Sequence, residues 1–258
     1  MTASEVIAAM EAQRNEAQRL VLMRFFKTAP GQYGAGDEFL GLKVPQTRQV
    51  VRWAADLPLN EVPQLLICRW HEVRLCGLLL LVHRFERDAR RRLLEAPDAI
   101  ARRDEVVQLY IDNAACANNW DLVDLSAPKV LGHWLLLPTA MGGTGVAMHH
   151  DYKLQVLDRL ADSENLWLHR MSIVCTWKTT QQGDPGYCLR YAERHLHHPH
   201  DLMHKAVGWM LRELGKRVSM DLLRQFLEQH AHEMPRTALR YAIERMSADE
   251  RHYWMSIK

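Results

Sequence analysis

Residues 117–129 read ANNWDLVDLSAPK and bring an aromatic and an acidic side chain together at a spacing that suits chemistry on a cation. Trp120 and Asp124 are four positions apart, so on a helix they lie on one face. An indole face beside a carboxylate is an electron-rich site that stabilises a positively charged intermediate. A packed aromatic next to a solvated or helix-capping acid explains the same pattern without any function.

Residues 165–182 read NLWLHRMSIVCTWKTTQQ and carry two basic residues near a tryptophan. If this segment is one helix, Arg170, Trp177 and Lys178 lie on related turns, because seven or eight residues make about two turns. Arginine and lysine on one face can hold phosphates. A basic helix face is also ordinary solvated surface, so this segment predicts an anion-binding surface only together with other evidence.

Residues 201–217 place Trp209 and Arg212 three positions apart, and therefore on neighbouring turns of one helix face. Gly208 precedes the tryptophan and lets another group approach the backbone closely. A tryptophan buried in a helix hairpin fits the pattern equally well. The segment indicates a second aromatic and basic surface without fixing its role.

Other chemically suggestive patterns do not develop into sites. GQYGAG at 31–36 has no strand before it and no GK[ST] after it, so it predicts a structured loop rather than a nucleotide-binding loop. Five histidines match no metal-binding spacing and surround a proline turn. They are His195, His197, His198, His200 and His204. We therefore expect no metal and no cofactor.

The elements that must position these residues are helices. Apolar residues recur at helical spacing almost throughout, and proline- and glycine-containing breakers divide the chain at short intervals. Helices joined by short turns pack as antiparallel neighbours. The sequence shows no strict period, which favours an all-α superhelical α-solenoid of HEAT-like antiparallel helix pairs over stricter repeats. Asn118 or Asn119 can cap a helix that begins near Trp120, and LLLLV at 78–82 predicts a buried helix.

Composition limits the alternatives. The 258 residues are 48% hydrophobic and 25% charged, as in a globular protein, and we expect one continuous domain over residues 1–258. The net charge of +2 means that any anion-binding surface is local. Five scattered cysteines predict reduced core residues. A charged amino terminus and the absence of a long apolar run predict a cytoplasmic protein without membrane segments.

Five segments, in order along nearly the whole chain, resemble the AlkD-type DNA alkylation repair family of HEAT-like repeat DNA glycosylases. They are FFKTAPGQYGAGDEFLGLKVPQTR (25–48), NNWDLVD (118–124), LWLHR (166–170), KAVGWMLRE (205–213) and PRTALRYAIERM (235–246). The resemblance implies a superhelix with double-stranded alkylated DNA along a concave, locally basic face. It also implies a monomer that needs no obligatory protein partner.

The resemblance assigns roles to particular residues. Trp120 and Trp209 match the family's active-site tryptophans, Asp124 its catalytic carboxylate and Arg170 the arginine beside them. Three further residues match its backbone-contacting basic positions. They are Arg48, Lys178 and Arg212.

The chain also departs from the best-known members of the family. It has insertions around residues 31–36 and 138–152, and Phe25 stands where an aromatic hydroxyl is often found. Asp121, directly after Trp120, would weaken DNA binding unless its side chain points away from phosphate.

The implied reaction is hydrolysis of the N-glycosidic bond of purines alkylated at N3 or N7, without base gripping and without lyase activity. An alkylated purine is already a cationic leaving group, so the site has to stabilise the sugar cation. A noncatalytic DNA-binding, architectural or damage-sensing repeat protein is the alternative. A scaffold for protein partners is a third reading, and it gives the basic positions no purpose.

Overall fold

The computed structural model describes residues 1–143 and 146–257, and the side chains of residues 146 and 147 are not described. Within these residues the chain is helical, with an isolated bridge between Glu38 and Trp70 and no strands. This confirms the all-α, solenoid-like fold class. The assignment to HEAT-like repeats stays a prediction.

The chain forms two compact units, of which the first is Met1–Ser126 and the second begins at Ala127. The expectation of one continuous domain stays a prediction. The first unit contains α1 (Ala3–Glu11), α2 (Glu16–Phe25), α3 (Val44–Trp53), α4 (Val62–Leu66), α5 (His71–Asp88), α6 (Pro97–Asp112) and α7 (Trp120–Ser126). Single 3₁₀ turns occupy Leu59–Glu61, Arg91–Leu93 and Ala114–Cys116.

Helix α5 is the centre of the first unit and packs against α3, α4, α6 and α7. Residues 78–82 are all buried, which confirms the prediction for the LLLLV run. Gly77 allows the close packing of α4, because a Cβ there would lie 2.8 Å from the Leu66 side chain. A helix buried on this much of its surface provides a rigid support for the side chains of its neighbours.

The loop between α2 and α3 is fixed to α5 by one buried carboxylate. Glu72 accepts hydrogen bonds from the backbone N–H groups of Leu40, Gly41 and Leu42, at 2.9, 2.8 and 3.0 Å. Gly41 has a φ of +89°, and a Cβ there would lie 2.1 Å from the carbonyl oxygen of Asn15. The glycine-containing segment at 31–36 is a loop without a helix or strand, as predicted.

The second unit is organised around one long helix. It contains α8 (Leu131–Leu135), α9 (Val146–Ala161), α10 (Leu166–Val174), α11 (Trp177–Gln181), α12 (Gly186–Arg194), α13 (Asp201–Arg217), α14 (Met220–His230), α15 (Arg236–Ala242) and α16 (Ala248–Ser256). Helix α13 packs against α10, α11, α12, α14 and α15. Of the expected insertion at 138–152, residues 144 and 145 lie outside the described residues.

The cysteines are all free. Cys76, Cys175 and Cys188 are buried, as predicted for core residues, whereas Cys68 and Cys116 are only half-buried. Burial raises the pKa of Cys76 and of Cys188 to about 12, because a thiolate is poorly solvated in the core. These two thiols are therefore packing residues rather than nucleophiles.

Candidate functional site

Helix α7 begins at Trp120, where the sequence predicts a helix start. The Asn119 side-chain oxygen accepts the backbone N–H of Trp120 at 2.9 Å, and the Asn119 carbonyl accepts the N–H of Val123. Of the two asparagines considered, Asn119 therefore occupies the capping position, and it is fully buried. The start of the helix is fixed within one residue of the candidate tryptophan.

Trp120 and Asp124 line the same cavity of about 340 Å³ within the first unit. Both side chains are half-buried. Most of the wall is aromatic or aliphatic, with contributions from Phe25, Phe26 and Leu125. The expected pairing of an indole and a carboxylate on one helix face is thus present, in surroundings of low polarity.

The indole of Trp120 belongs to an aromatic cluster. It stacks on Phe26 with ring centroids 5.4 Å apart at 30°, and Phe25 meets its edge at 5.9 Å. Phe26 in turn stacks on Phe39 at 5.2 Å. Phe25 is 58% exposed, so the cluster continues from the core to the surface beside the cavity.

A buried ionic network lies beneath this cluster. Both ring nitrogens of His71 face carboxylates, with Nδ1 2.7 Å from Oδ2 of Asp37 and Nε2 2.9 Å from Oδ2 of Asp121. Arg74 donates to the other oxygen of Asp37 and to the carbonyls of Cys68 and Arg69. No local pattern in the sequence indicates this network, because its members are 34 and 50 positions apart.

The charges within the network determine the pKa values of His71 and Asp37. Burial disfavours the charged His71 ring, but the charges and hydrogen bonds of Asp121 and Asp37 outweigh burial and raise the pKa of His71 to about 9. Burial also opposes the charge on Asp37, yet His71 and Arg74 together lower the pKa of that carboxyl. Asp121 also lines the cavity, but it is only 6% exposed and its Oδ2 is bonded to His71.

Two basic residues of α3 and its cap lie in the first unit. Arg48 is half-buried on α3. Lys43, which precedes α3 and is exposed, lines the cavity together with Trp120 and Asp124. Lys43 lies within the FLGLKVP segment, and no local pattern indicates that it lines the cavity, because Glu72 of a different helix holds the preceding loop.

In the second unit, Arg170 lies on α10 and is 5% exposed. Its Nη1 donates to the carbonyl of Leu202, in the first turn of α13, at 2.6 Å. The expectation of one helix over this segment is wrong, because α10 ends at Val174 and α11 begins at Trp177. A Cβ at Gly132 would lie 2.1 Å from the carbonyl of Cys175, so the chain between the two helices is in close backbone contact with α8.

Lys178 is half-buried on α11, and its Nζ lies 3.4 Å from Oε1 of Gln181. Its neighbour Trp177 packs instead under the guanidinium of Arg217, 5.0 Å from the ring centroid. Lys178 therefore carries a cation near the surface, whereas Trp177 is occupied by a cation–π contact within the unit.

Trp209 and Arg212 lie on α13 and are partly exposed. Arg212 is paired with Glu244 and lies 3.8 Å from Glu213. The group that approaches Gly208 is α15, because a Cβ there would lie 2.3 Å from the carbonyl of Ala238. The glycine thus serves helix packing, and carboxylates of the same unit compensate the charge of Arg212.

The histidine-rich turn forms a hydrogen-bonded cluster. His195 Nε2 lies 2.8 Å from the hydroxyl of Ser172, and His169 Nδ1 lies 3.0 Å from His198 Nε2. No group of three or more potential ligands suited to a metal ion occurs in the described part of the chain. Among the residues that the structure describes, no helix is both long and apolar enough to span a bilayer.

Comparison with known proteins gives a family and a similar solved structure. Residues 6–246 match the family described as DNA alkylation repair enzyme. No curated protein matches the chain. A solved structure described as a predicted DNA alkylation repair enzyme from Enterococcus faecalis is similar, with a TM-score of 0.62 and 15% identity over 91% of this chain and 97% of that one.

At that identity the solved structure supports the fold alone. The family match carries more weight, because it covers both units and includes the segments around Trp120, Arg170 and Trp209. The chain belongs to the DNA alkylation repair enzyme family.

Proposed function

We propose that this member of the family is a monofunctional DNA glycosylase. It hydrolyses the N-glycosidic bond of cationic purines alkylated at N3 or N7 in duplex DNA and leaves an abasic site. The observation that carries the proposal is the placement of Trp120 and Asp124, four residues apart on α7, in the wall of one largely apolar cavity.

The reaction needs stabilisation of a cation more than it needs an acid. A purine alkylated at N3 or N7 is positively charged before the bond breaks, so it leaves without protonation. The deoxyribose then acquires positive charge, which the Asp124 carboxylate stabilises while it orients the attacking water. Apolar surroundings strengthen this attraction, because they lower the local dielectric constant.

Trp120 adds a second attraction to the same charge. Trp120 is held by its stack on Phe26, so it is ordered before DNA binds. An indole face near a cationic sugar contributes about 0.5–2 kcal/mol. By the family resemblance Trp209 acts in the same way.

The basic residues hold the strand. We assign Arg48, Lys178 and Arg212 to phosphate contacts, and Arg170 to the active site as the resemblance implies. Each phosphate contact contributes affinity without sequence information and makes binding sensitive to salt. This suits an enzyme that must find a lesion in any sequence. We also propose that the protein acts as a cytoplasmic monomer without a cofactor or an obligatory protein partner.

The test is release of 7-methylguanine and 3-methyladenine from methylated duplex DNA under single-turnover conditions. We expect the intact protein to release base. Asp124→Asn should bind the same DNA but release base more slowly by about 10²-fold or more, as for loss of an electrostatic catalytic group. Asp56→Asn is the matched control, because Asp56 is an exposed acid of the same unit. The product strand should stay intact until alkali cleaves it, since no lyase step is proposed.

Three outcomes separate the alternatives. Equal release by the intact protein and Asp124→Asn would remove Asp124 from the mechanism. Salt-sensitive duplex binding without release of either base by the intact protein would favour a noncatalytic DNA-binding role. Strand cleavage without alkali would contradict the monofunctional assignment.

A further inference from the structure

We propose that His71 is a positioning residue for the reaction. As an imidazolium between Asp37 and Asp121, it fixes the first turn of α7 and so orients Trp120 and Asp124. This inference rests on the proposed function for its catalytic consequence. Its structural part, a charged histidine on which the placement of Trp120 depends, is testable without any activity.

The geometry requires two N–H groups on the ring. Nδ1 and Nε2 lie 2.7 and 2.9 Å from carboxylate oxygens of Asp37 and Asp121. A neutral imidazole carries only one N–H, so one carboxylate would face a ring lone pair. His71 is 2% exposed, and water cannot relieve that repulsion. The doubly protonated ring is the form that satisfies both contacts.

Charge balance supports the same form. With His71 protonated, the two cations His71 and Arg74 balance the carboxylates Asp37 and Asp121. A neutral ring would leave one net negative charge in a buried cluster, which is costly. Asp121 depends most on the histidine, because its other oxygen, Oδ1, is buried and has no hydrogen-bond partner in the part of the chain that the structure describes.

Other charged groups near the ring do not replace this balance. Within α5, Glu72 lies next to His71, but its carboxylate is used by the three backbone N–H groups of the 40–42 loop. Asp124 of α7 and the exposed Lys43 before α3 line the same cavity as His71. The protonated ring donates its two hydrogen bonds to the carboxylates of Asp37 and Asp121.

The network holds the residues on both sides of Trp120. Asp121 follows the tryptophan and bonds to His71, while the Asn119 amide that precedes it lies 3.4 Å from Asp37 Oδ2. Because α7 has only seven residues, its first turn determines the direction of the whole helix. The position of Asp124, one turn further on, therefore follows from these contacts.

The histidine also supports the indole through aromatic rings. Its ring stacks on Phe39 at 4.5 Å and 22°, and it lies 4.9 Å from Phe26. Phe26 in turn stacks on the indole of Trp120. An imidazolium attracts aromatic faces more strongly than a neutral ring does. Loss of the proton thus weakens both the carboxylate contact and the stack that order the active-site turn.

The first measurement is NMR of the intact protein with labelled histidine and tryptophan side chains. We expect two ring N–H protons on His71 at neutral pH, and a Trp120 indole signal that moves with the same midpoint when His71 loses a proton. A single ring N–H, or an indole that stays unchanged while His71 titrates, would overturn the proposal. Both readouts hold whether or not the protein releases bases.

Asp121→Asn provides the second measurement, with Asp56→Asn as the control. The amide keeps the shape of the side chain but removes one of the two charges that keep the ring protonated, so the His71 midpoint should fall towards its ordinary value of 6.5. Relative to the intact protein, base release by Asp121→Asn should then fall about tenfold for each pH unit above the new midpoint, and it should recover on return to acidic buffer. A deficit that is the same at every pH would mean that Asp121 is merely structural.

Failure of the proposed function looks different from failure of this inference. If the intact protein releases no base, the glycosylase assignment falls, while the NMR titration still decides whether His71 is charged and whether Trp120 follows it. If the protein releases bases and the titrations of His71 and Trp120 are unlinked, the glycosylase stands and the positioning role of His71 is refuted.

Discussion

Raising the pH should destabilise the first unit, because His71 must release its proton inside the fold. The pKa of His71 is raised from 6.5 to about 9 in the folded protein. A group with a raised folded pKa contributes stability that is complete below its unfolded pKa and disappears as the pH rises through its folded pKa. The stabilisation is therefore present below 6.5 and lost towards 9.

The size follows from the two pKa values. At pH 6.5 the histidine contributes about 3 kcal/mol to the free energy of unfolding, and at a pH of about 8.5 it contributes about 1 kcal/mol. The expected loss over this interval is about 2 kcal/mol. The figure is not reduced for solvent screening, since the side chain is 2% exposed.

Urea denaturation at a series of pH values, followed by circular dichroism and tryptophan fluorescence, measures this loss. In His71→Gln the slope between these pH values should disappear, and in His83→Gln, which changes a half-buried histidine of the same helix, it should persist. Stability that is constant or rises over the interval in the intact protein would refute the doubly partnered imidazolium. An equal slope in the intact protein and His71→Gln would assign the effect to other groups.

Three further changes test other parts of the structure. Glu72→Gln should lower the free energy of unfolding by about 2–4 kcal/mol, measured by urea denaturation, because an amide cannot accept all three buried N–H groups and one would face its NH₂. Acidification to a pH of about 5 should lower the free energy of unfolding of the second unit by about 2 kcal/mol. Burial and the neighbouring histidines lower the pKa of His195 to about 3, so its stabilisation is lost as the pH falls below 6.5. His195→Gln should reduce this acid sensitivity in the same urea assay. Glu244→Gln should tighten binding to a duplex oligonucleotide and Arg212→Gln should weaken it, because Glu244 holds the Arg212 guanidinium in the free protein. Fluorescence anisotropy at two salt concentrations measures both effects. Equal effects of the two substitutions would contradict a phosphate contact by Arg212.

Local patterns predicted the features that depend on local physics. An asparagine before Trp120 predicted the helix start, and the Asn119 side chain accepts the backbone N–H of Trp120 there. An unbroken apolar run at 78–82 predicted a helix buried by its neighbours, and α5 is that helix. The glycines at 31–36, without a preceding strand, predicted a loop. Each of these depends on interactions among residues that are close in the chain.

Features that depend on distant residues were missed. His71 meets Asp37 and Asp121 across 34 and 50 positions, and no periodicity relates residues at such separations. The break between α10 and α11 was also missed, because the helical pattern continues through it. At Cys175 the chain lies in close backbone contact with Gly132 of α8, a contact that no pattern within residues 165–182 indicates.

Asp121 and Asp124 show how environment divides two roles between two identical side chains. They lie three residues apart on α7, a spacing at which like charges on one helix face repel. His71 neutralises Asp121 inside the fold, so this repulsion is removed without loss of either carboxylate. Both residues line the cavity, but Asp121 is buried, whereas Asp124 is half-buried and more accessible to a positively charged sugar. If the proposed function is correct, a substitution that discharges His71 should therefore impair catalysis in two ways: α7 loses its anchor, and the charge on Asp121 is no longer compensated beside Asp124, the proposed catalytic carboxylate.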